Sequence, residues 1–319
     1  MKKYLALALL AVFALAAAPA VAGQFPVKQV SVVCPVAPGG ASDMTSRIFA
    51  TQMEKLLGKP FIVSNRPGAS NAIGMEFVKN RKPDGYTLGY MPVEVCMIRA
   101  LGLNDLASSD FTFLARAMTI PATLTVRADA PWNTFEEFVA AAKAAPGTIK
   151  IGNSGTGSIW HIAAAAMEGA TDTKFIHVPF DGAALAVTSL MGGNIDAVTV
   201  SPPEVKTAVE SGEFKVLAIF GDERSSVFPE VKTARELGHE ILVLAWGGFA
   251  VPNGVPADVL EILEKAAKES IESDEMKKFL AERGFEPAYL DAAAMKDFVG
   301  QQQAFYDKLI PELGLGVKK

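Results

Sequence analysis

The stretch Val32-Val33-Cys34-Pro35-Val36-Ala37-Pro38-Gly39-Gly40-Ala41-Ser42-Asp43 constrains this chain more than any other. A β-rich apolar run stops at Pro35, two adjacent glycines follow, and a helix-forming segment begins at Asp43. Glycine lets backbone N–H groups come close to a ligand, and a helix N-terminus adds partial positive charge. Together they make an anion seat that needs no Lys or Arg, and neither occurs between Ser31 and Ser46. This loop reads as a grip on a carboxylate. The plainer alternative is an ordinary βα turn capped by Asp43.

The unit repeats along the chain. Gln29 to Cys34 reads as a strand and Asp43 to Leu57 as its helix, with Phe49, Met53, Leu56 and Leu57 on one buried face. Gly58 and Pro60 end that helix. Phe61 to Val63 is a second strand, Ala72 to Asn80 a second helix and Tyr86 to Tyr90 a third strand. Such alternation implies a parallel sheet covered on both faces. Leu124 to Val126 reads as a strand crossing into a second series. That series has strands at Ile149–Ile151, Phe175–Val178, Ala197–Val200 and Val216–Ile219, and helices at Thr134–Ala144, Ile159–Glu168 and Ala183–Met191. Trp246 to Val251 reads as the return crossing. The tail then reads as helical, with one apolar face at Leu260, Leu263, Ala267 and Ile271 and another at Met295, Phe298, Gln302, Phe305 and Leu309.

Two α/β lobes joined by two crossing segments make a hinged, bilobal binding protein with two Rossmann-like lobes around a central cleft. The expected lobes are residues 23–123 with 249–319, and 124–248. Residues 1–22 read as a cleaved signal peptide: a short basic start, an apolar run from Leu5 to Ala18, and Ala20-Val21-Ala22 as the small-x-small cleavage site. No Cys at the cleavage point marks a lipoprotein. Half the chain is hydrophobic, enough for two cores, and the formal charge of −5 with no basic stripe argues against nucleic acid. Cys34 and Cys96 are the only cysteines, read as two buried thiols rather than a disulfide.

Other chemistries were weighed against the residues. Ser154, Asp196 and His239 occur in the order of an α/β-hydrolase triad, but Gly152-Asn153-Ser154-Gly155-Thr156 lacks the closing glycine of a nucleophile elbow. Gly152 to Gly157 spells G-x-x-G-x-G, not the spacing that seats a dinucleotide. His161, His177 and His239 form no close metal pair in sequence, so no cofactor or metal is expected. His161, just past the second glycine loop, either borders the cleft or is structural.

Six landmarks in order resemble the periplasmic solute receptors of the tripartite tricarboxylate transporter family, often called Bug-type receptors. They are Pro38-Gly39-Gly40 with Asp43; Asn65-Arg66-Pro67-Gly68-Ala69 with Ile73-Gly74; Pro83-Asp84-Gly85-Tyr86-Thr87-Leu88; Gly155-Thr156-Gly157-Ser158 with His161; His177-Val178-Pro179-Phe180-Asp181-Gly182; and Trp246-Gly247-Gly248-Phe249-Ala250-Val251-Pro252. The resemblance implies a type II periplasmic-binding fold without enzymatic activity. It also implies a monomeric receptor that delivers a small carboxylate to the transporter's membrane subunits. Carried over by motif, first-lobe contacts fall at Ala37, Gly39, Gly40, Ala41, Ser42 and Asp43. Those of the second lobe fall at Ser154, Gly155, Thr156, Gly157 and Ser158, with Phe180, Asp181 and Gly182 behind them.

Two departures from the family pattern stand out. Relatives commonly have Tyr-Lys where this chain has Phe180-Asp181, and Gly-Gly where it has Ser70-Asn71. The second change adds side-chain donors beside another helix start. The first makes a tricarboxylate a poor fit and suits a ligand with an amino or hydroxyl group. The rival readings are a hydrolase and a carboxylate sensor or scavenger without a dedicated transporter. The leader carries a prediction of its own: intact mass of periplasmic material should correspond to a chain beginning at Gly23, and a retained leader or a lipid adduct would contradict it.

Overall fold

A computed structural model describes residues 25–180 and 182–316, so the leader and Asp181 lie outside the described residues. The chain opens with β1 (Val30–Cys34), α1 (Ala41–Leu57), β2 (Phe61–Asn65), α2 (Ala72–Lys79) and β3 (Thr87–Pro92). A 3₁₀ turn at Val93–Cys96 leads towards the long β4 (Phe111–Pro121). Next come β5 (Thr123–Arg127), α3 (Phe135–Ala144), β6 (Lys150–Asn153), α4 (Ile159–Thr171) and β7 (Ile176–Pro179). After them run α5 (Ala183–Met191), β8 (Ala197–Val200), α6 (Pro202–Glu210) and β9 (Phe214–Ile219). The chain closes with β10 (Leu244–Pro252), α7 (Ala257–Ile271), α8 (Asp274–Glu282), β11 (Glu286–Leu290) and α9 (Ala292–Glu312).

These elements form two sheets, ordered β11-β4-β10-β3-β1-β2 and β7-β6-β8-β5-β9. The first contains the N-terminal and C-terminal segments, the second the middle of the chain. Each is mixed rather than wholly parallel. β1 pairs in parallel with β2 and β3, but β10 runs antiparallel to both β3 and β4. β5 likewise runs antiparallel to β8 and β9. The crossing strands cause this, because each enters its sheet against the direction of the βα units. β10 begins at Leu244, so the return to the first sheet comes earlier than the break after residue 248 expected from sequence.

Three segments are tied together where the sheets meet. The Ala122 N–H donates to the Val243 carbonyl, the Val243 N–H to the Phe220 carbonyl, and the Phe220 N–H to the Ala122 carbonyl, at 3.1, 2.8 and 2.8 Å. This ring of backbone bonds joins both crossing segments to the end of β9. A side-chain strap lies beside it, where Ser226 donates from N–H and hydroxyl to Glu286 Oε1 of β11.

The first core is built on the face of α1. Phe49 stacks on Phe249 with centroids 3.6 Å apart, and Tyr90 meets the same ring edge-on at 5.5 Å. Met53 shares that burial, but Leu56 is 43% exposed and Phe305 of α9 is 48% exposed, so the apolar faces are narrower than their spacing suggests. Both cysteines are free and buried. Trp246 packs edge-on to Phe298 and donates to Gln302 Oε1 at 3.3 Å.

Gly247 and Gly248 in β10 serve close packing. A Cβ on Gly247 would lie 1.6 Å from Tyr90 Oη, and one on Gly248 would lie 2.6 Å from the Ala115 carbonyl oxygen. Tyr90 is 1% exposed and is held edge-on against Phe249. Gly247→Ala should therefore lower stability by about 2–3 kcal/mol, as overpacking of a tight core does. Urea unfolding measures it, and Tyr90→Phe in the same chain should restore part of the loss by removing the colliding hydroxyl.

Candidate binding cleft

In parallel βα units each helix starts beside the C-terminal end of a strand, and ligands gather at that edge. Both sheets present such an edge to a cavity of ≈ 360 Å³ between them. Five helices begin at its wall, at Gly40–Ala41 (α1), Asn71 (α2), Ser158–Ile159 (α4), Gly182–Ala183 (α5) and Ser201 (α6). The first N–H groups of a helix have no partner within it. α4 is capped by Ser158 Oγ, and at α6 the Glu204 carboxylate reaches back to accept from the Ser201 N–H and hydroxyl. α1, α2 and α5 have no side-chain cap at Gly40, Asn71 or Gly182. At α2 the first N–H, that of Ala72, is taken by the Ala69 carbonyl, and the other starts open at the cavity edge without a side-chain acceptor. Away from it, Thr134, Ser273 and Asp291 cap α3, α8 and α9.

The first glycine loop is held by a network behind it. Gly39 has φ +92°, a conformation open to glycine and costly for other residues. Its N–H donates to Asp43 Oδ2 at 3.0 Å. The Asp43 carboxylate also accepts from Asn65 Nδ2 at 2.8 Å and pairs with Arg47 at 2.9 Å. Asn65 Nδ2 reaches the Val36 carbonyl as well. Burial alone would raise the Asp43 pKa. The hydrogen bonds from Arg47, Gly39 and Asn65 outweigh it and hold the carboxyl below its ordinary range. Asp43 thus caps the loop through Gly39 and leaves the α1 donors open.

The second glycine loop is fastened in the same manner. Asn153 Oδ1 accepts the Gly155 N–H at 3.0 Å, and His161 Nδ1 accepts the Gly157 N–H at 3.0 Å. The His161 ring rests against His177, whose Nε2 lies 3.3 Å from Glu168 Oε1. The lobes touch across the cavity here, because a Cβ on Gly157 would sit 2.9 Å from the Leu101 side chain.

Of the residues expected at the site, the cavity wall brings together Gly40, Ala41, Ser42, Ser70, Asn71, Ser154, Gly155, Thr156, Gly157, Ser158 and Gly182. Ala37, Gly39, Asp43, His161 and Phe180 are not part of the wall. Gly39, Asp43 and His161 brace the loops from behind, and the Phe180 N–H bonds to the Asn153 carbonyl. Asp181 lies outside the described residues. Ser154, Asp196 and His239 do not assemble: the Asp196 carboxylate accepts the Lys150 N–H, and His239 packs on Phe135. Among the described residues no hydrogen bond joins any two of the three, as a triad would require.

Sequence reasoning missed much of the wall. Tyr90, Val93, Ile98, Leu101, Met118, Ile120, Trp160 and Trp246 make it largely apolar, and Glu94 and Glu204 add two carboxyls. No Lys, Arg or His lines it among the described residues. Those residues also hold no cluster fit for a metal ion and no helix long and apolar enough to cross a membrane.

The family model for the tripartite tricarboxylate transporter family receptor matches residues 45–315. A TctC solute-binding protein from Polaromonas, solved without ligand, is 38% identical with a TM-score of 0.78, covering 90% of this chain and 99% of that one. MatC from Rhodopseudomonas palustris, solved with bound malate, is 26% identical with a TM-score of 0.77, covering 90% and 100%. BugT from Bordetella pertussis is 26% identical over 309 residues, 95% of this chain and 94% of that protein.

His161 makes the cleft's support sensitive to acid. Burial, with His177 adjacent, pulls its pKa from 6.5 down to about 4. The folded state needs the neutral ring, whose Nδ1 accepts the Gly157 N–H. Stability from this group is complete above pH 6.5 and is lost as the pH falls from 6.5 towards 4. The loss should reach up to about 3 kcal/mol. Urea midpoints across that window should fall less for His161→Asn than for the parent.

Proposed function

The chain belongs to the tripartite tricarboxylate transporter receptor family, and we propose that its cleft captures a small carboxylate for delivery to the membrane subunits of such a transporter. The observation that carries this reading is the convergence of five helix N-termini on a cavity whose described wall has no basic side chain. An anion there is held by backbone N–H groups and helix dipoles. Gly40, Ala41 and Ser42 act from one lobe, and Thr156 with the start of α5 at Ala183 acts from the other, where the N–H groups of Gly155, Gly157, Ser158 and Gly182 are already bonded within their own loops. MatC holding malate on the same fold supports the assignment. The described wall offers binding groups, and the family is one of receptors, so the role we assign is capture rather than turnover. We place the protein in the periplasm as a monomer, with lobes near the boundaries expected from sequence. Contacts from both lobes favour the closed state when ligand is present.

A thermal-shift screen of organic acids identifies ligands, since binding to the folded state raises the midpoint. Two variants then test the backbone seat. Gly40 has φ −83°, and a Cβ there meets nothing within 4 Å, so Gly40→Val should fold and place its side chain at the α1 donors. Losing two N–H bonds to an ionised group costs on the order of 3–6 kcal/mol, roughly a hundredfold or more in affinity. Arg47→Ala removes a cation that reaches Asp43 and not the cavity, so affinity should drop by no more than about tenfold. The reverse ranking in calorimetry would show that a side-chain cation holds the carboxylate.

A further inference from the structure

Among the described residues three carboxyl groups stand in or beside the cleft, and one of them is paired with a cation. Asp43, behind the first loop, is paired with Arg47 at 2.9 Å. Glu94, on the 3₁₀ turn at Val93–Cys96, lines the cavity, with its own backbone and that of Ile159 across the cleft beside its carboxyl. Glu204 lines it from α6 and accepts from the Ser201 N–H and hydroxyl, each at 2.7 Å. Neither is in an ion pair among the described residues, and no basic residue shares the wall with them. A carboxylate screened from bulk water without a countercharge is costly. Burial accordingly raises the pKa of both.

The rest of the wall offers the opposite polarity, N–H donors at uncapped helix starts, separated by apolar and aromatic surface. A solute with one anionic and one cationic end matches this arrangement, and a solute with two anionic ends does not. We propose that the cleft selects an amino-monocarboxylate, whose carboxylate sits on the helix N-termini and whose ammonium group pairs with Glu94, with Glu204 as a further acceptor. Tyr90, Trp160 and Trp246 line the space between and suit an apolar skeleton, with an aromatic face open to the ammonium. This inference rests on the carboxylate reading and makes it more specific. A second carboxylate directed at Glu94 would be repelled, so Glu94 discriminates against dicarboxylates.

A matched set of four six-carbon compounds separates the two levels. Calorimetry of the mature protein with 6-aminohexanoate, hexanoate, adipate and hexylamine should rank 6-aminohexanoate first, about tenfold or more ahead of the others. Glu94→Gln should remove most of that advantage and narrow the gap to adipate, while Glu94→Asp keeps the preference. Circular dichroism and the thermal midpoint confirm that each variant folds. Adipate binding more tightly than 6-aminohexanoate, an unchanged ranking in Glu94→Gln, or silence across the panel would overturn the inference. Hexanoate equal to 6-aminohexanoate would overturn it too and leave the carboxylate seat intact. Hexylamine equal to 6-aminohexanoate would defeat the carboxylate seat itself.

Discussion

Unsatisfied backbone donors at helix starts set the character of this protein. A βα unit must begin its helix at the C-terminal edge of its strand, and two sheets turned edge to edge bring five such starts to one cavity. Those N–H groups need acceptors. Where a helix start faces elsewhere, Thr134, Ser273 or Asp291 supplies one, and only α7, entered through Pro256, goes without among the described residues. At Gly40, Asn71 and Gly182 no side chain does. Water or a ligand must then complete the structure, so the fold leaves a polar demand at its centre that an anion meets well. The absence of Lys, Arg and His from the described wall gives the same answer from the opposite side. Positive potential comes from the backbone, which places it more rigidly than a long side chain would.

Rigid seats on two bodies are useful only if the bodies can move as units. The cyclic set of bonds among Ala122, Phe220 and Val243 confines the connection to three short segments of backbone. Beside that ring Ser226 bonds to Glu286, and Gly284 packs closely on Val227 and Pro203, while at the cleft Leu101 lies against the Gly157 loop. Packing is tight within the first lobe too, as with Gly247 under Tyr90, where the ring lines the cavity and its position depends on a neighbour without a side chain.

The sequence made the βα rhythm, the glycine loops and the return crossing legible, because periodicity and breakers act locally. Asp43 shows where local reading ends. Its place near a helix start suggested a cap or a ligand contact. Its actual role depends on Asn65, 22 positions away, and on a glycine four residues back. Glu94 and Glu204 were passed over for a related reason. One lies on a 3₁₀ turn too short to have a period, and the other on α6, a short helix opened by two prolines. β4 and β11 were missed as well, since long strands with polar interruptions and short edge strands after helices lack a clear alternation.

The segment before α2 joins these strands of argument. Ala69, Ser70 and Asn71 hold φ of +48°, +50° and +75° in succession, a left-handed run that side chains rarely adopt. Family resemblance puts Gly-Gly at the last two positions, and glycine would take these angles without strain. Each non-glycine residue there costs on the order of 1 kcal/mol or more. Both side chains line the cavity, beside a helix start with no cap. Ser70 and Asn71 therefore stand on the cavity wall at a backbone cost that packing elsewhere must offset. Strain of this kind persists where surrounding structure over-determines it, and here the wall of the cleft is what it shapes. With Glu94 and Glu204, these two residues set the wall apart from one built of bare helix starts: polar side chains of its own are added beside the backbone donors on which the proposed carboxylate seat rests.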